Sequence, residues 1–148
     1  MIRLLFRLYI LIKRPMTLGV RAVIEDELGA ILLVRHTYVK GWYFPGGGVE
    51  PGQTLIQALA RELQEEVNID DMGEAELFGM YLNRYFSKRD HVGVYLCRGW
   101  KRRKPFIANS EIAEAKFFSR DDLPEGITDG TRRRLAEIYN DVGKTDVW

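Results

Sequence analysis

Glu62, Glu65 and Glu66 stand with Arg61 in a stretch, Leu55 to Val67, that contains neither glycine nor proline. At a helical advance of about 100° per residue the three acids fall within an arc of about 100°, beside a side lined by Leu55, Leu59, Leu63 and Val67. As a plain solvated surface this is a poor arrangement. Glu62 and Glu66 are like charges one turn apart, and all three acids crowd the C-terminal turns, where the helix dipole disfavours anions by roughly 0.3–1 kcal/mol each. Arg61 is the one cation close enough to compensate. Hard divalent cations such as Mg²⁺ take oxygen ligands of this kind and keep waters that can be aimed at a phosphate. Just upstream, Pro45 precedes Gly46, Gly47 and Gly48, a run in which the main chain can bend sharply and approach a ligand, so one of its carbonyls could complete a metal site. Loop and helix together make one device.

The elements that must position this device follow from periodicity. Val20 to Ile24 and Ile31 to Val34 are aliphatic runs around a polar turn with Gly29, which predicts a hairpin. Thr54 is a good N-cap for the helix Leu55 to Val67. Strands are predicted around Leu77 to Phe86 and His91 to Trp100, flanking the turn Ser87 to Asp90, with a short fifth at Ala115 to Phe118. A second helix is predicted from Thr131 to Tyr139, followed by a polar tail after Gly143 that should fray. Strands in mixed order with one helix among them and one at the end predict an α+β fold, layered as an α/β/α sandwich.

A chain of 148 residues has room for one domain. Its net charge of +1 creates no long-range field that would drive the whole molecule onto nucleic acid or an anionic membrane, so phosphate binding must be local. Cys97, the one cysteine, excludes an internal disulfide and a thiolate zinc cluster and fits a reducing cytoplasm. It sits in an apolar strand-like run, where a thiol packs as a small hydrophobe. No D-x-D-x-D-G loop exists, which excludes an EF-hand calcium site. Residues 1–15 form a separate unit ahead of a domain over 16–148. Leu4, Leu5, Leu8 and Ile12 share a helical face, with Arg3, Arg7 and Arg14 together on the other side. The run is far short of the roughly 20 apolar residues a transmembrane helix needs and has no signal cleavage site. Such an amphipathic helix is expected to dock on its own domain or on a second copy in a homodimer, with attachment to a membrane interface as the alternative.

The stretch Gly47 to Ile69, GGVEPGQTLIQALARELQEEVNI, resembles the Nudix box: glycine, five residues, glutamate, seven residues, then Arg-Glu-aliphatic, one residue, Glu-Glu, one residue, glycine and an aliphatic. Gly47 matches the leading glycine, Arg61 and Glu62 the Arg-Glu pair, Leu63 the aliphatic, Glu65 and Glu66 the paired acids, and Ile69 the last aliphatic. Trp42, Pro45, Gly46, and the late Phe117 and Phe118 before Leu123 and Pro124, also stand where that family tends to place such residues. Two positions depart. Gln53 replaces the first glutamate, which keeps an acceptor but loses a charge, and Asn68 replaces the glycine, the next most comfortable residue in the left-handed conformation that ends many helices.

The resemblance implies a Nudix-type α/β/α sandwich with a mixed β-sheet and hydrolysis of a nucleoside diphosphate linked to another moiety X. Mg²⁺, with Mn²⁺ as a substitute, would be held by the Gly47 carbonyl and by Glu62, Glu65 and Glu66, because uncompensated carboxylates cannot bind a pyrophosphate directly. Arg61 would orient a glutamate. The general base would be Glu65 or Glu62, with Glu111 and Glu114 as acids of a later loop. Arg21, Arg35 and the run Lys101 to Lys104 could bind phosphate, and Tyr43, Phe44 and Tyr81 could stack on a base, although core packing suits them better. The partner is a small nucleotide, with no clear nucleic-acid partner. Nucleoside triphosphates, dinucleoside polyphosphates, nucleotide sugars and ADP-ribose all satisfy the pattern. Gln53 keeps a binding module without turnover as the alternative.

Overall fold

The computed structural model describes residues 2–13 and 15–148. Helix α1 (Ile2–Lys13) is followed by strands β1 (Thr17–Ile24) and β2 (Ile31–His36), helix α2 (Leu55–Val67), strands β3 (Glu74–Leu82), β4 (Asp90–Arg98) and β5 (Ile112–Phe118), and helix α3 (Asp129–Tyr139). One sheet has the order β1-β4-β3, with β1 parallel and β3 antiparallel to β4; the second pairs β2 with β5 antiparallel. This is the α+β sandwich with a mixed sheet that the pattern predicts.

Period-2 alternation sorts the strand side chains onto two cores. Val20, Ala22 and Ile24 of β1 and Leu32 and Val34 of β2 pack with Ala58, Leu59, Leu63 and Val67 of α2. The opposite faces give Val23, Ile31 and Leu33, which pack with Phe44, Tyr81, Val94, Ile127 and Leu135 of α3. Cys97 is buried in the first core, and burial pushes its thiol up to about 12, so it packs rather than reacts.

Two expectations are corrected. The first hairpin turns as expected, with the Asp26 amide donating to the Ala30 carbonyl at 3.0 Å, but its strands then part into different sheets, because the edge of β1 that would face β2 is taken by the glycine loop. Val20 N–H donates to the Gly47 carbonyl at 2.9 Å and Ala22 N–H to the Pro45 carbonyl at 2.9 Å. The tail after Gly143 is not frayed. Leu82 N–H donates to the Asp146 carbonyl at 2.8 Å and Trp148 N–H to the Leu82 carbonyl at 3.0 Å, so the tail runs along β3. Fully buried Arg134 fastens it, donating to the Val147 carbonyl, to Thr145 Oγ1 and to Glu137 Oε1, with its guanidinium 4.0 Å from the Tyr81 ring centre. A polar sequence hides this anchoring because the partners come from α3 and β3.

The described side chains of α1 are all exposed, Leu4 at 62%, Leu11 at 70% and Ile12 at 71% among them. None of these described side chains is buried against the domain, one of the two docking partners expected for this helix. The side chains of Arg3, Arg7 and Arg14, read above as its basic side, lie outside the described residues. No helix of the described residues is long and apolar enough to cross a membrane.

Candidate active site

Helix α2 is fixed at both ends. Thr54 Oγ1 accepts from Gln57 N–H at 3.1 Å while Gln57 Oε1 accepts from Thr54 N–H at 2.9 Å, a reciprocal cap worth about 1 kcal/mol. Asn68 ends the helix in the left-handed conformation (φ 57°), as its match to the family glycine anticipates, and its side chain donates to the Pro105 carbonyl at 3.1 Å. The apolar face anchored in the first core turns the acidic face toward the glycine loop.

That loop is shaped for close approach. A Cβ on Gly47 would collide with the Glu62 carboxylate, and one on Gly46, which adopts φ 136°, would collide with the Val20 carbonyl. The three box acids then part ways. Glu66 is buried and its Oε2 accepts from Gly46 N–H at 2.8 Å; burial outweighs that bond and pushes its carboxyl up to about 7. Glu62 is also buried, with Oε1 2.9 Å from Arg61 Nη2, and burial again raises its carboxyl above the ordinary value. Glu65, half exposed, receives Arg61 Nη1 at 3.0 Å. Arg61 also donates to the Gly48 carbonyl at 3.0 Å, so one guanidinium braces both glutamates and the loop.

Among the described residues no three carboxylate, imidazole or thiol groups already converge on a point where a metal could sit; the Arg61 guanidinium contacts both Glu62 and Glu65. The donor set nevertheless fits a hard cation. Two buried carboxylates lack compensating charge in proportion to their burial, and the Gly47 carbonyl uses one lone pair on Val20 N–H and keeps the other.

Glu62, Glu66 and Gly47 line a cleft of about 830 Å³ that also receives Arg21, Gln53 and Glu111. Of the two arginines predicted to meet phosphate, Arg21 is placed there. Arg35 is not: strand alternation sends it to the face opposite His36, where its Nε is 3.0 Å from Glu114. Glu114 is thereby also removed from the cleft; hydrogen bonds from Arg35 and Lys116 hold its carboxyl below the ordinary value. Glu111, positioned by Asn109 Oδ1 accepting from its amide at 2.9 Å, remains as the late-loop acid of the cleft. Lys101 to Lys104 do not line it; Lys101 pairs through its backbone with Asp71. Phe44 and Tyr81 are core residues, and the Tyr43 hydroxyl donates to the Lys40 carbonyl. Gln53 Oε1 accepts from Glu50 N–H at 3.1 Å, closing its own turn.

The sequence reading missed His36, Tyr38, Asn83, Phe86 and Asp90, all of which line the cleft. For His36 the signal was available in the strand period: it alternates with Arg35. Its Nδ1 is buried without a partner, and burial together with Arg21 lowers its pKa, so the imidazole is neutral near pH 7. Asn83 and Asp90 face each other across the β3–β4 turn at 2.9 Å, and Asp90 also accepts from Thr17 Oγ1 at 2.6 Å; that pairing belongs to the tertiary structure.

Comparison with known proteins agrees with this geometry. The NUDIX domain family model matches residues 15–139. A Bacillus subtilis (strain 168) protein provisionally named an 8-oxo-dGTP diphosphatase is 28% identical over 131 residues, covering 88% of this chain and 84% of the relative. The RNA pyrophosphohydrolase of Legionella pneumophila (strain Corby) is 37% identical over 62 residues, which cover 42% of this chain and 35% of that protein, about a third of its length. The crystal structure of the MutT NUDIX hydrolase from Burkholderia pseudomallei superposes with a TM-score of 0.72 at 25% identity, covering 84% of this chain and 98% of that one. With the domain matched nearly end to end and Gly47, Glu62 and Glu66 of the box at one cleft, which Arg61 and Glu65 do not line, the chain belongs to the Nudix family and is an enzyme of its pyrophosphohydrolase type.

Proposed function

We propose that this protein hydrolyses the pyrophosphate bond of a nucleoside diphosphate linked to another moiety, using Mg²⁺ or, in its place, Mn²⁺. The observation that carries this reading is the pair of buried carboxylates, Glu62 and Glu66, set against Gly46 and Gly47 at a cleft that also holds Arg21. Glu62, Glu66, Glu65 and the Gly47 carbonyl would hold the metal, which when bound neutralises the phosphates and supplies an activated water. Arg21 offers a fixed positive charge to the substrate phosphates. Neutral His36 offers an imidazole that can donate to a phosphate oxygen or accept from a sugar hydroxyl. Arg61 is a positioning residue that braces Glu62 and Glu65 through its planar fork. Proton removal from the attacking water falls to Glu65, the exposed box acid, or to Glu62, with Glu111 across the cleft as the further acid. The lone buried cysteine suits a reducing cytoplasm.

The relatives' names favour nucleoside triphosphates, an oxidised purine included, as first candidates, with RNA next. The test is a nucleotide library incubated with Mg²⁺, reading released phosphate and pyrophosphate. Saturable hydrolysis of one class, abolished by EDTA, supports the reading; undiminished turnover in excess EDTA overturns the metal mechanism. The second reading, a nucleotide-binding module without turnover, rests on Gln53 in place of an acid. Tight nucleotide binding with no hydrolysis in Mg²⁺ or Mn²⁺ is its signature.

A further inference from the structure

We propose that α1 is an anionic-lipid-binding helix that seats this enzyme on a membrane surface. Leu4, Leu5, Leu8, Tyr9, Leu11 and Ile12 are exposed, between 47% and 71%, an apolar surface that a protein free in water has no reason to keep. At helical pitch these six positions spread over an arc of about 160°; the sequence positions 3 and 7 fall outside that arc, with Ile10, 39% exposed, beside them.

Charge decides the occupant. The first 16 residues hold four cations, Arg3, Arg7, Lys13 and Arg14, and no acid; the first acid of the chain is Glu25. The other residues carry 18 cations and 21 acids, so the near-zero net charge of the chain conceals a basic segment joined to an acidic body. Two copies of α1 laid face to face would gather like charges with no carboxylate on either helix to meet them. An anionic bilayer supplies a phosphate for every guanidinium, while the leucines and isoleucines sink to the acyl boundary. With 12 residues, about 18 Å long, the helix lies in the interface rather than crossing it. Lys13 is three residues from Met16, which lines the catalytic cleft, so a bound helix keeps the rim of that cleft within about 10 Å of its own end.

The test is co-sedimentation of the full chain with vesicles of phosphatidylcholine alone or containing about 30 mol% phosphatidylglycerol. The expected result is at least about tenfold more protein on the anionic vesicles, lost in about 0.5 M NaCl, because screening removes the charge contribution. Leu8→Glu with Leu11→Glu should abolish capture, and Arg3→Gln with Arg7→Gln should weaken it severalfold. Both variants should melt as wild type and hydrolyse soluble nucleotide at the wild-type rate, so a failure of binding is separable from a failure of the catalytic reading. No capture by anionic vesicles overturns the proposal, as does equal capture by both vesicle types. A lipid-free dimer that Leu8→Glu with Leu11→Glu dissociates, with no vesicle capture, overturns it in favour of a second copy of this chain.

Discussion

The Gly46 amide donates to Glu66 Oε2 at 2.8 Å, a bond that ties the acidic end of α2 to the bend of the glycine loop across twenty residues of chain. It is the one local interaction that lowers the Glu66 carboxyl by hydrogen bonding, and burial overrides it, leaving the group near pH 7.

The metal-free protein should therefore lose stability as pH rises. Glu66 moves from an ordinary 4.5 to about 7 on folding, so the folded state holds a proton that the unfolded chain has released. The contribution is fully present below about pH 4.5 and is lost as pH passes through 7, on the order of 3 kcal/mol by pH 8. Glu66→Gln should flatten this part of the profile and melt above wild type at pH 8 in EDTA. Parallel melting curves from pH 5 to 8 for the two proteins would count against the buried acid.

Gly47→Ala should be damaging where Gly48→Ala is not. A methyl at 47 runs into the Glu62 carboxylate, whereas nothing lies within 4 Å of one at 48. Overpacking of this kind costs about 1–3 kcal/mol, and displacing Glu62 should lower turnover by at least about tenfold. Equal melting temperatures and rates for the two variants would contradict the placement of Glu62.

Glu65 and Arg61 should act on rate rather than on stability. Glu65→Gln keeps the shape of a half-exposed side chain, so melting in EDTA should shift by no more than about 0.5 kcal/mol while turnover falls by about 100-fold or more. Arg61→Lys keeps the charge but cannot reach Glu62, Glu65 and Gly48 at once, and should reduce kcat more than KM. A wild-type rate in Glu65→Gln would remove this residue from the chemistry.

Gln53→Glu restores a charge in the cleft and keeps an oxygen for the Glu50 amide. The metal concentration giving half-maximal rate should fall. An unchanged titration would place position 53 outside the metal's surroundings.

Removing the cation of the buried Arg134–Glu137 pair leaves a carboxylate in the core and frees the tail. Arg134→Ala should cost about 3–5 kcal/mol and expose the segment after Gly143 to protease under native conditions. Melting within about 1 kcal/mol of wild type would show that the tail is held by other contacts.

The sequence by itself determined the parts whose physics is local. Helix α2, its Thr54 cap, its left-handed end at Asn68 and the sharp bend at Gly46–Gly48 follow from periodicity and backbone preference, and the spacing from Gly47 to Ile69 identified the chemistry they serve. Arg21, expected to meet phosphate, and Glu111, expected as a late-loop acid, both line the cleft, whereas Arg35 does not, because strand alternation places it opposite His36. What only the tertiary structure decided are the contacts between distant segments. The glycine loop occupies the edge of β1 and so sends β2 to another sheet; Arg61 bridges Glu62 and Glu65 while Glu66 turns to the Gly46 amide; Arg134 clamps a polar tail onto β3. Such choices are competitions for one hydrogen-bonding edge or one guanidinium, and their outcome depends on partners that periodicity does not bring together.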